Sequence, residues 1–520
     1  MNSFFYSKLL KEYSDNNPEK FNKDFILSKN DDDLLSEITN VFKSLEVIKE
    51  IHIDSVTINR CEEEFGPIKQ NNRYYKSPND TRLLKIHYKV SIDGLDKPIE
   101  KDIFMLKLLD NAFYYSDGVR YYPIWQIVDN LSYKTNNGIS VKSILMPITM
   151  IKNDPVNITS ENGNEYNNIN NYYALVFSKK VSPLFYIMMN YSLESLDKAG
   201  ISPFEDFEKF ETYQDKSLCS KLSNFIGVDC VFAENPEEID SEKYEVFRLY
   251  GTRNKIGLSY GINKKDINKK EAKVLMGLIS GCRLKDKKKF ICCTYEQFIT
   301  PWYWINRIID VSGFSKSPDL FKRYNKAKAV LTSLSRIIDV QTRKILPIPE
   351  KDKQNIYTLI RYLLINYDYL YSLDSQDLKY KRLRLSEYIL YPLRVFISRH
   401  ISRLLNKQIN MDANSIAKTF SSLSSMYLVT ALITSRCLRT YNSANDYCLF
   451  SAYLKSTVKG PQSIGRGMSL QARALHPSYV GKLDLVNSSA GDPGATATLV
   501  PFIKVYNNYF DKEQADKALN

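Results

Sequence analysis

A chain of 520 residues with 43% hydrophobic and 25% charged residues has the apolar mass for packed cores, which excludes wholesale disorder and favours two to four domains. Its formal net charge of +13, from 72 Lys and Arg against 59 Asp and Glu, is balanced between a polyanionic partner and simple solubility. No apolar run reaches the ~18 residues of a transmembrane helix, and the opening MNSFFYSKLLKEYSDNNPEK lacks the apolar core and small-residue cleavage site of a signal peptide.

In chain order, the first 135 residues read as helix followed by strands. Thr81–Ile92 (TRLLKIHYKVSI) alternates as a strand, and Asp93-Gly94 marks a turn. Ala112–Ile124 brackets Ser116-Asp117-Gly118 with two aromatic runs, the pattern of a hairpin whose Asp-Gly tolerates positive φ. Asn153–Asn171 is rich in Asn with few large apolar residues and reads as a long surface loop. From Ser182 to about Leu370 helical and short-strand patterns mix, with basic runs at Lys264–Lys273 and Lys285–Lys289 that usually form solvated faces. Leu385–Leu405 sets Leu393, Phe396, Ile397, His400, Ile401 and Leu404 at helical spacing, with Pro392 at a kink or a start. Another helix is expected over about Asn414–Arg439, and after Asn442 the periodicity fades into loops. The predicted class is α+β multidomain, without internal repeats.

The eight cysteines (Cys61, Cys219, Cys230, Cys282, Cys292, Cys293, Cys437 and Cys448) form no CxxC pair and no zinc framework, so free thiols in a reducing compartment are expected. His52, His87, His400 and His476 make no local nucleophile arrangement, and no HExxH occurs. Gly460–Gly467 (GPQSIGRG) imitates a phosphate loop, but Arg466 replaces its lysine and Gly467 the hydroxyl that would hold magnesium, which argues against a nucleoside triphosphatase. Tyr447–Leu483 contains no Asp or Glu, yet carries Lys455, Lys459, Arg466, Arg473, His476 and Lys482. Spaced cations on a glycine-bearing, acid-free segment suit a nucleic-acid backbone; the plain alternative is a loop that lacks acids by chance.

This segment resembles the β subunit of multisubunit DNA-directed RNA polymerases. Gly460-Pro461 falls on the family's GP, Arg466 on the first arginine of its fork loop and Arg473 on the arginine before its HP. His476-Pro477 matches that HP after a single deletion, and Gly481-Lys482 matches a GR pair. Two earlier blocks agree in order. Asp377–Glu387 (DLKYKRLRLSE) is similar to the family's HLGNRRVRSVGE. Asp110–Ile127 (DNAFYYSDGVRYYPIWQI) is similar to RGTFIINGTERVIVSQL, with Asp117-Gly118 on NG, Arg120 on the arginine and Gln126 on the glutamine.

The resemblance implies the N-terminal half of a β subunit, of the split type found in polymerases of giant bacteriophages. It implies a protrusion over 1–135 and 372–432, a lobe over 136–371, and the fork with the start of the active-centre region over 433–520. The family's later regions are then expected on a separate chain docking against Leu499–Asn520. The implied reaction is nucleotidyl transfer with two magnesium ions, held by an NADFDGD-type motif on a β′-like chain. Asp31-Asp32-Asp33 has the wrong spacing for that motif, so this chain would be inactive alone. Template DNA, nascent RNA and a promoter-specificity factor are the other implied partners, in the host cytoplasm, with a virion location left open.

By the same resemblance, Arg466 would sit at the fork-loop tip where downstream DNA strands part, holding a phosphate or stacking on a base. Lys455 and Lys459 would lie beside the RNA–DNA hybrid, Arg473 and His476 would brace the loop or touch the template side, and Lys482 completes the nucleic-acid-binding set. The family's ETPEG acids are replaced by Asn487, Ser488, Ser489 and Gly491, leaving Asp492. Ala452–Thr457 (AYLKST) stands where bacterial enzymes have HKRRIS, which implies rifamycin insensitivity. The alternative is a non-catalytic nucleic-acid-binding or structural phage protein with a degenerate polymerase-like fold.

Overall fold

The computed structural model describes residues 38–43, 51–59, 69–70, 73–74, 83–109, 113–116, 118–142, 147–153, 155–176, 179–250, 256–281, 284–286, 289–291, 293–312, 319–335, 338, 342–343, 346–384, 390–397, 413–414, 417, 426–434, 438–440, 454–458, 476–484, 486, 496–500, 505–506 and 509–510. The chain is an α+β protein of two units. One is continuous, Leu131–Leu373, and the other is assembled from Met1–Asn130 and Asp374–Asn520.

In the discontinuous unit, Leu83–Ile92 is the central strand of an antiparallel sheet between Ile51–Asn59 and Ile99–Leu106. Its alternation turns Leu84, Ile86, Tyr88, Val90 and Ile92 to one buried face. Helical residues 38–43 cover Tyr88 with Phe42, ring centroids 4.9 Å apart. Burying a side chain of this size contributes roughly 1.5–3 kcal/mol. Phe113–Ser116 and Val119–Pro123 form the expected hairpin, closing at Ser116 opposite Val119 with Gly118 at φ +75°. A small core of Leu83, Phe104, Leu106 and Tyr114 receives Val429 and Leu432 from the helix Tyr427–Ile433.

A seven-stranded sheet gathers segments far apart in the chain. Its order is Leu483–Asp484, Thr496–Leu499, Lys455–Thr457, Trp125–Asp129, Lys381–Arg384, Tyr509–Phe510 and Val505–Tyr506. Lys455–Thr457 runs parallel to Trp125–Asp129, and the other neighbours are antiparallel. Closing such long loops costs entropy, which burial of Trp125, Ile127, Leu378, Leu383, Tyr479, Leu483, Ala497 and Leu499 offsets.

The continuous unit has its own core. A five-stranded antiparallel sheet runs Ser132–Thr135, Gly138–Val141, Ile148–Lys152, Tyr172–Val176 and Lys179–Val181. The helix Pro183–Ala199 starts with proline at its first position and stops at Gly200, φ 65°. Phe185 from this helix meets Trp304 of the helix Pro301–Ser312 edge-on at 5.6 Å. The buried Trp304 indole N–H donates to the Phe298 carbonyl at 2.8 Å. A second antiparallel sheet places Ile256–Asn263 between Cys230–Ala233 and Tyr244–Tyr250.

Several elements differ from the sequence expectation. Asn153–Asn171 contains an antiparallel hairpin, Val156–Thr159 with Glu165–Ile169, turned through Gly163 at φ +80°. Val156, Ile158 and Tyr166 pack against the core while the polar side chains face solvent, so sparse apolar residues suffice for one face. Within Asn414–Arg439 residues 414, 417 and Tyr427–Ile433 are helical as expected, but the end of the stretch is the strand Leu438–Thr440, drawn into pairing with Val119–Pro123. Beyond Asn442, Lys455–Thr457 and Thr496–Leu499 are strands, stabilised by distant partners. Pro392 agrees with expectation: helical residues 391–397 hold it in their first turn, where its missing N–H is tolerated, while His400 lies outside the described residues. The units divide at 130/131, where the strand ending at Asp129 and the strand beginning at Ser132 join different sheets, and at 373/374.

Candidate nucleic-acid interface

The centre of the seven-stranded sheet is polar as well as apolar. Arg384 lies opposite Gln126 in the register, and Leu383 opposite Ile127. The Arg384 Nε–H donates to Gln126 Oε1 at 2.9 Å, with Arg384 2% exposed and Gln126 fully buried. A buried guanidinium is costly without an acceptor, and the glutamine carbonyl supplies one. At the far end of this strand pair, the Lys381 ammonium reaches Asp129 Oδ1 at 2.9 Å. On the other side of Trp125–Asp129, the buried Ser456 hydroxyl donates to the Ala497 carbonyl at 2.9 Å. The half-buried Lys455 ammonium donates to Thr498 Oγ1 at 3.1 Å.

The block His476–Lys482 is a tightly bonded turn. His476 Nδ1 accepts the Ser478 backbone N–H at 3.1 Å and lies 2.8 Å from Ser478 Oγ. In the neutral ring the proton is then on Nε2, which faces Asp374 Oδ2 at 3.4 Å. Ser478 Oγ accepts the Leu378 N–H at 3.0 Å, tying this turn to the Asp377–Tyr380 segment. Val480 (φ −55°, ψ 132°) and Gly481 (φ +71°), with the Lys482 N–H donating to the Tyr479 carbonyl at 3.0 Å, make a type II turn that needs glycine at its third position. Lys482 is 2% exposed, and its carbonyl accepts the Val500 N–H at 3.1 Å.

Electrostatics reinforce the junction. Burial pushes the Asp377 carboxyl up, but hydrogen bonds from the Lys379 backbone and ammonium, with the charges of Lys379 and His476, outweigh it and hold the group below the ordinary carboxylate range. Burial, with Asp374, Asp129 and Asp377 nearby, pushes the Tyr479 hydroxyl up.

Of the six cations singled out by sequence, Lys455, His476 and Lys482 lie on or beside this sheet, while Lys459, Arg466 and Arg473 lie outside the described residues. The three that are described differ in reach. Lys455 retains partial exposure, His476 is engaged in the turn, and Lys482 is buried. Charge counting alone misses Arg382 and Arg384, which look like surface residues in KRLR and are 1% and 2% exposed. No local signal marks them: Arg382, Leu383 and Arg384 are buried in succession, so the burial of this strand does not alternate.

Among the described residues no three His, Cys, Asp or Glu side chains gather to hold a metal ion, and no helix is long and apolar enough to cross a membrane. Cys219, Cys230 and Cys293 are free thiols; burial pushes Cys219 and Cys230 up to about 12, which keeps them protonated near neutrality. A family model described as non-virion RNA polymerase subunit matches residues 5–513. No curated protein matches the chain.

Proposed function

Because the chain belongs to the non-virion RNA polymerase subunit family, we propose that it is the β-like N-terminal part of a split phage DNA-dependent RNA polymerase, lining the path of DNA and RNA at the fork. The observation that carries this reading is the seven-stranded sheet. Its strands Trp125–Asp129, Lys381–Arg384 and Lys455–Thr457 come from the three separated blocks that resemble the polymerase β subunit, and they are adjacent. Blocks matched independently along a chain have no reason to become neighbours unless they belong to one inherited unit.

In this reading the chain contributes geometry and positive charge rather than metal chemistry. A β′-like chain holds the two magnesium ions, a separate chain supplies the C-terminal β part, and a specificity factor selects promoters in the host cytoplasm. Lys455, Lys459, Arg466 and Arg473 face the nucleic acid. His476 and Lys482 act from behind, because the histidine is bonded into its turn and the lysine is buried. The protrusion comprises 1–135 and 372–432, the lobe 136–371, and the fork 433–520.

The test is Arg466→Ala in the complex purified from infected cells. The expected outcome is slower elongation or open-complex formation by a complex of unchanged subunit composition. Unaltered transcription would remove Arg466 from the fork.

A further inference from the structure

Phe204 and Phe321 are the two exposed phenylalanines among the described residues, at 63% and 41%, and they stack on each other with ring centroids 5.4 Å apart. They form the outer end of an aromatic ladder in the continuous unit. Phe204 meets Tyr324 edge-on at 6.4 Å, and Phe321 meets Phe207 at 6.0 Å. Phe207 in turn meets Trp302 at 6.0 Å, beside the fully buried Phe210. Each exposed ring is carried by a bonded segment. The Phe204 N–H donates to Ser202 Oγ at 3.3 Å, and the Glu205 N–H to the Ser202 carbonyl at 3.3 Å. The helix Leu320–Ser335, which bears Phe321, is tied to the helix Pro301–Ser312 by Arg323, whose Nε–H donates to Asn306 Oδ1 at 2.7 Å. Rings already held in place lose little freedom when a partner covers them, which suits them as binding anchors.

The rim of this pair is acidic. Glu205, Asp206, Glu208 and Glu211 are exposed, against Lys209 alone, in a chain whose net charge is +13. Asp206 caps the short helix Phe207–Thr212 by accepting the Lys209 N–H at 3.1 Å. Glu205, Glu208 and Glu211 make no ion pair among the described residues. The cations beside Phe321 are engaged instead: Lys322 pairs with Asp319 at 3.5 Å and Arg323 with Asp310, while Lys328 lies 6.0 Å from the Tyr324 ring centroid. Unpaired carboxylates repel phosphates, so this face disfavours a nucleic-acid backbone. Stacked rings bounded by such carboxylates fit a protein segment that brings an apolar side chain next to Lys or Arg.

We propose that the Phe204–Phe321 face docks another subunit of the same polymerase through a basic segment with an apolar anchor. The anchor covers the two rings, and the cations meet Glu205, Glu208 and Glu211. Family membership supplies the partner, because a polymerase subunit works beside other subunits. The inference rests on that membership and not on which part of a β subunit the chain represents.

The polymerase purified through a tagged full-length chain, with photoreactive benzoylphenylalanine in place of Phe204, tests it. Irradiation is expected to join this position to one other subunit, at a segment with Lys or Arg beside an apolar residue. Adding Glu205→Gln, Glu208→Gln and Glu211→Gln is expected to lower the yield several-fold, and raised salt to lower the yield of the chain that keeps its glutamates toward that level. Circular dichroism of the purified chain reports folding. Cross-links only to a second copy, to nucleic acid or to a host protein overturn the proposal, as does a partner segment without cations. No cross-link at all, or an equal yield from the Gln variant, overturns it too. Transcription by the Arg466→Ala complex tests the fork role separately, so the two failures are distinguishable.

Discussion

Arg384 and Gln126 illustrate how a residue pair can decide whether distant segments form one sheet. They are 258 positions apart, and their buried hydrogen bond joins the strand from the early block to the strand from the middle one. Gln126→Ala removes the acceptor and leaves the Arg384 guanidinium short of a partner where water is excluded. A hydrogen bond to a charged group contributes roughly 1.5–3 kcal/mol, so a loss of that order is expected in the discontinuous unit. Amide hydrogen exchange over Trp125–Asp129 and Lys381–Arg384 should show lower protection in the variant; unchanged protection would mean that the arginine finds another acceptor at no cost. The same pair marks a limit of sequence reading. Gln126 and the KRLR run were legible as a family likeness, while the burial of both arginines follows from pairing with strands that no local pattern announces. His476 shows the converse. Its HP context was legible, but whether the ring meets nucleic acid or braces the chain depends on Ser478 and Asp374, which only folding brings to it.

At the scale of elements, strong periodicity was readable and weak periodicity was not. Leu83–Ile92 alternates over its whole length and forms the strand expected of it. The hairpin in Asn153–Asn171 escapes notice because Ile169 is its one fully buried apolar anchor, supplemented by the partly buried Val156, Ile158 and Tyr166, and because asparagine disfavours strands on average. What holds it is a close approach by the helix Lys270–Ser280. A Cβ on Gly277 would come within 2.0 Å of the Asn170 carbonyl oxygen, so the helix can lie against this backbone only with glycine there. Gly277→Ala must separate two backbones, at a cost of roughly 1–3 kcal/mol or more. The measurement is amide hydrogen exchange over Glu165–Asn171 and the helix, where protection should fall together. Unchanged protection would show that the contact yields without strain. Lys455–Thr457 and Thr496–Leu499 are short strands whose neighbours lie elsewhere in the chain, so their local sequence reads as loop.

At the scale of the whole molecule, an α+β chain of more than one domain is legible from length and mixed periodicity, but the return of the chain after Leu373 to the first unit is not. Only the polymerase-like blocks on either side of the continuous unit hinted that the flanks belong together. The family match over residues 5–513 makes the chain a subunit of an RNA polymerase. The central claim, that this chain is the β-like N-terminal part of a split polymerase, is most directly tested by affinity capture of the tagged chain from infected cells with mass spectrometry of what accompanies it. The expected result is stoichiometric recovery of a chain carrying the remaining β-like part and of a β′-like chain with a DFDGD-type metal motif. Recovery of an active polymerase in which one other chain already carries the whole β-like part would contradict it.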